Sequence, residues 1–65
     1  MKLKLLDSLE EGELFFAYAD TSDGKDLRSY FRGPRIGSLE IINCECSSGD
    51  PYETKDFHIM QRVWA

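Results

Sequence analysis

Cysteine, histidine and long apolar runs are all scarce in this chain, and each scarcity removes a class of protein. The two cysteines, Cys44 and Cys46, are too few for a disulfide framework. Two apart on a strand, they would point to the same side, where a bridge between them strains the backbone. Two reduced thiols in a cytoplasmic protein are therefore the expectation, without a disulfide. No run approaches the roughly 18 apolar residues of a membrane span, so no membrane partner is expected. The opening MKLKLLDSLEEGE has two lysines but only a two-leucine run before Asp7, unlike a secretory leader. Met1 is read as the start of a complete small reading frame. A Gly-rich phosphate loop is also missing: Gly33 and Gly37 flank Pro34 and no helix with Lys-Ser or Lys-Thr follows. With 65 residues there is room for one domain, 1–65, and little for an enzyme's pocket. The chain is expected to be a non-enzyme without a cofactor.

What is present favours a folded protein. Apolar residues make up 42% of the chain and aromatics 12%, groups that disordered segments lack. A core of this size rarely supplies more than ~3–5 kcal/mol, and a homodimer would add to it. The net charge is −4. That acidity opposes phosphate backbones and suits protein partners, which makes a nucleic-acid partner the weaker alternative. The charge is uneven. Residues 27–41 carry Arg28, Arg32 and Arg35 against Glu40, a basic stretch inside an acidic frame.

Along the chain, Lys2–Leu6 is too brief to assign. Asp7–Gly12 reads as a turn, with Gly12 free to take a positive φ. Glu13–Ala19 reads as a strand with Leu14, Phe16 and Tyr18 on one face and Phe15, Ala17 and Ala19 on the other, as if covered on two sides. Asp20–Lys25 is a loop with Asp23-Gly24 as a hairpin turn. Leu27–Phe31 reads as a strand and Ile36–Cys46 as a longer one, with a bulge near Ile41-Ile42 or burial on both faces. Ser47–Pro51 is a turn, and 57–64 reads as a strand. The alternative is α+β, with short helices near 25–32 and 52–64. In it Asp23 caps the first, and Asp50-Pro51 with Glu53 opens the second. The expected core is Phe15 or Phe16, Tyr18, Leu39, Ile41 or Ile42, Ile59 and Val63.

The run Leu9-Glu10-Glu11-Gly12-Glu13-Leu14-Phe15 resembles the turn that leads into the first strand of many small prokaryotic barrels of the Src-homology-3-like kind. The resemblance covers seven residues. It implies an all-β, mainly antiparallel, partly open barrel of about four to five strands, and no particular function.

Two constellations bear on chemistry. Cys44, Cys46 and His58 could offer three soft ligands, but structural zinc takes four, commonly with wider cysteine spacing, so Asp50 or Asp56 would have to complete the set. No metal is expected. Arg28, Tyr30 and Arg32 lie on one side of a strand and could form a flat cation-aromatic surface, joined by Arg35 and Trp64 as binding residues. Such a surface fits an acidic patch on a protein, or a nucleic-acid strand. Its bland counterpart is arginines paired with Asp26, Glu40 or Glu53 in solvent. The expected function is a small acidic protein-interaction module. Phage- or host-encoded accessory factors and inhibitors are frequent among such chains. A nucleic-acid-associated barrel and a metal-site protein are the alternatives.

Overall fold

Alternating apolar and polar residues in short runs, broken by Gly and Pro, dictate strands rather than helices here. A computed structural model describes residues 1–47 and 53–65. The strands are β1 (Leu3–Leu5), β2 (Leu14–Thr21), β3 (Gly24–Phe31), β4 (Arg35–Ile36), β5 (Ile41–Cys46), β6 (Thr54–His58) and β7 (Arg62–Trp64). They make one antiparallel sheet, curled into a half-barrel, and among the described residues 58% are strand and there is no α-helix. Residues 24–31, 54–58 and 62–64 are extended, so the helices of the α+β alternative do not form. The capping signal at Asp50-Pro51, the turn across 48–51 and the ligand candidate Asp50 lie outside the described residues.

The sheet runs β1-β7-β2-β3-β5, with β6 on the far edge of β5. The β2–β3 hairpin is its longest pairing, from Leu14↔Phe31 to Thr21↔Gly24. The turn residues are Ser22 and Asp23. Gly24, at φ 127°, opens β3 where the sequence placed it within the turn itself.

Strand β4 continues the line of β3 along the same edge of β5. Phe31 pairs with Glu45 and Arg35 with Ile42, so Arg32, Gly33 and Pro34 face only Asn43 and Cys44. This is a bulge, one strand earlier in the chain than the sequence placed it. Proline has no N–H to give the ladder, and its carbonyl accepts from the Asn43 N–H instead, at 3.3 Å. At Gly33 a Cβ would overlap the Asn43 carbonyl oxygen, so only glycine lets the two backbones pass. The stretch 36–46, read as one strand, is interrupted by a 3₁₀ turn at Gly37–Leu39 and by Glu40 in the left-handed region. Likewise 57–64 divides into parts of β6 and β7. These breaks, with the short β1, raise the number of strands to seven.

Alternate residues fill the concave side. Phe15, Ala17, Tyr30, Ile42, Cys44, Cys46, Phe57, Ile59 and Val63 are buried there, capped by Leu6 and Leu9 from the 3₁₀ turn and bend after β1. Phe15 stacks on Tyr30 at 5.6 Å, and Phe57 meets both rings edge-on. Each such side chain contributes about 1.5–3 kcal/mol when fully buried. The turn at Gly12, φ 88°, ties this cap to β3. Its N–H donates to the Arg32 carbonyl at 2.7 Å, and Arg32 N–H donates to the Glu13 carbonyl.

Two expected core residues lie outside. Tyr18 is 52% and Leu39 62% exposed. Tyr18 shares the face of Leu14 and Phe16, opposite Phe15, while Leu39 sits in the 3₁₀ turn beyond the end of the ladder.

Candidate functional site

Arg28 and Tyr30 do share one side of β3, as the period of two requires, with Arg32 just past its end, but that side faces the concave core. Tyr30 is buried between Phe15 and Phe57. Desolvation pushes its hydroxyl above the usual tyrosine range, helped by the nearby Cys46. Arg32 is only 9% exposed. It lies 3.8 Å from the Asp7 and Glu11 carboxylates and donates through Nη1 to the Gly33 carbonyl at 2.9 Å. Its Nε is buried without a hydrogen-bond partner among the described residues. Arg35, half-exposed, shares Asp7, and Arg28 sits 3.6 Å from Glu53. The flat exposed strip expected of these residues is therefore corrected. Tyr30 belongs to the core, Arg32 clamps the Asp7–Glu11 cap to the sheet, and only Arg28 and Arg35 reach solvent.

Trp64 lies elsewhere, on the outer face. It pairs with Leu3 of β1 and Phe16 of β2, and its ring meets Tyr18 edge-on at 5.4 Å. Around it the outer face is apolar. β2 contributes Leu14, half-buried Phe16 and Tyr18, while β3 contributes Leu27 and Phe31, opposite Tyr18 and Leu14. Leu3 and Leu5 extend the patch across β1. Leu14, Tyr18, Leu27 and Phe31 are each more than 40% exposed. Scattered exposed leucines are ordinary, but a contiguous apolar face with aromatic members marks an interaction surface. The signal was present in ELFFAYA, whose two faces are both apolar. Coverage on both sides was the expectation; the structure covers one.

The candidate metal ligands do not converge. Cys44 and Cys46 point into the core, whereas His58 pairs with Ile41 on the outer side and lies 3.6 Å from Glu40. Burial pushes the Cys44 thiol above its usual range. Among the described residues no cluster of three or more His, Cys, Asp or Glu side chains is placed to hold a metal. No helix there is long and apolar enough to cross a membrane. Compared with family models, characterised proteins and solved structures, the chain matches none.

Proposed function

We propose that this chain is a small non-enzymatic protein-interaction module, working in the cytoplasm as an accessory factor or inhibitor, and that it docks through the outer face of β1, β7, β2 and β3. One observation carries the reading: Trp64, Tyr18, Phe31 and four leucines of β2, β3 and β1 stand together on a face that no element of the chain covers among the described residues. Leaving these groups in water forgoes stabilisation of about 25 cal/mol per Å² of apolar surface, which a protein partner would recover. Tyr and Trp are the residues on which such contacts concentrate energy. Trp64 thus keeps the binding role read from the sequence, while Tyr30 and Arg32 lose it. A barrel of the Src-homology-3-like kind is the architectural half of the proposal, supported by the Leu9–Phe15 turn opening β2.

A photo-crosslinking residue at position 18, compared with one at exposed Ser38, tests the reading in native lysate. Position 18 is expected to yield a discrete protein adduct that Leu27→Ser with Phe31→Ser removes, while Ser38 yields none. Adducts alike at both positions, or adducts to nucleic acid, would refute it.

A further inference from the structure

We infer that the occupant of this outer face is a second copy of the same chain. The inference rests on the reading of the face as a docking surface and names its partner. It starts from charge. The molecule carries −4 overall, which opposes self-association wherever the excess acids lie. The outer face is the exception. Across β1, β7, β2, β3 and the end of β5 paired with β3, its charged residues are Asp20 and Lys25, opposite each other, with Arg62 and Glu45. Two of each sign leave the face neutral.

The placement of the last two is self-complementary. Arg62 pairs with Leu5 and precedes Trp64 by two residues, which sets it beside the Tyr18 end of the patch. Glu45 pairs with Phe31, at the Leu14 end and across the sheet. They occupy opposite corners of the apolar area, and neither has an ion-pair partner among the described residues. A two-fold axis lying in the contact plane, and crossing the patch between these corners, sets each Arg62 against the partner's Glu45 twice over. That is the geometry an isologous interface needs. That axis crosses the strands of the two copies at nearly right angles, the orthogonal way in which two sheets pack face to face, so the apolar residues of both can meet. A standard interface takes about 800 Å² from each copy, less than a fifth of the 4424 Å² exposed here. One face is enough. A core as small as this one also gains more from a second copy than a large domain would.

Sedimentation of the purified full chain over a concentration series provides the test. A reversible monomer–dimer equilibrium is expected. Arg62→Glu alone and Glu45→Arg alone should each raise the dissociation constant about tenfold, since two rim contacts per dimer turn repulsive. Mixing the two variants should restore association, because every reversed charge then meets its opposite in the heterodimer. Both positions are exposed, so the variants are expected to melt like wild type. If either does not, Tyr18→Ser serves as a second probe and should weaken the dimer without acting through charge.

A chain that stays monomeric throughout, or a dimer indifferent to both the mixing and Tyr18→Ser, overturns the inference. The mass of the position-18 adduct separates the two levels of reading. Twice the chain mass supports both. A foreign protein refutes the second copy and leaves the docking face standing, and no adduct removes both.

Discussion

At the residue scale the arginines show how sequence and surface part company. Charge counting places Arg28 and Arg32 together as equals. Their surroundings differ. Arg28 and Glu53 are solvated, and such pairs contribute about 0–1 kcal/mol. Arg32 is enclosed beside Asp7 and Glu11, and a glutamate there would meet two carboxylates, with only half-exposed Arg35 left as a cation beside Asp7. Arg32→Glu is expected to cost on the order of 1–3 kcal/mol in chemical denaturation, because it encloses a charge without a good partner while Asp7 and Glu11 stay partly solvated. Arg28→Glu should cost less than about 1 kcal/mol. Arg32→Met separates charge from packing, because an apolar side chain of similar length leaves no orphaned charge and is expected to be tolerated. Gly33 is the other residue set by its surroundings. A methyl group there strikes backbone, which cannot swing away as a side chain would. Gly33→Ala should therefore lower stability by about 1–3 kcal/mol, as overpacking does, and an unchanged melting temperature would show that the bulge can open at little cost.

At the scale of strands, much was legible, and for a physical reason. A period of two survives in any half-buried strand, so β2, β3 and β5 could be read from ELFFAYA, LRSYF and IINCEC. What the period does not reveal is which face turns inward. Tyr18 was assigned to the core and Tyr30 to the surface, and both are reversed, because each strand offers aromatics to either side. Topology decides: Leu6 and Leu9, from the turn and bend between β1 and β2, cap the side of Phe15 and leave that of Tyr18 bare. The bulge was hidden for the same reason. Arg32-Gly33-Pro34 reads as a corner between strands, yet β4 resumes the line of β3 because β5 pairs with both. Strand β5 offers a direct check on the assignment of faces. Ile42 is fully buried against Phe57, while its neighbour Ile41 is half-exposed on the other side. Ile42→Ala should cost about 2–5 kcal/mol. Ile41→Ala should fall well short of that, and equal losses would mean that both faces of β5 are covered.

At the scale of the whole molecule, two weak acids of the concave core, Cys44 and Tyr30, together set how the fold responds to alkali. Cys44 and Tyr30 both titrate above their usual ranges, and desolvation is the main cause for each. For Cys44 the Gly33 backbone and Arg32 pull the other way without cancelling the shift. In the unfolded chain the thiol ionises near about 8.5 and the phenol near about 10. Between those values and the higher ones of the folded state, the unfolded chain binds fewer protons than the native one. Stability must then fall as pH rises. Both contributions are complete below about pH 8.5 and are lost as pH climbs through the folded values, the thiol's loss beginning first. Thermal melts between pH 7 and 11 are expected to be level up to about pH 8.5 and to decline beyond it. Tyr30→Phe keeps the ring that stacks on Phe15 while removing the ionisable group, and Cys44→Ala removes the thiol. Either change shifts the baseline, so the slope is the quantity to read. The double variant should decline less steeply than wild type above pH 9. If it declines just as fast, these two core groups do not govern the alkaline loss.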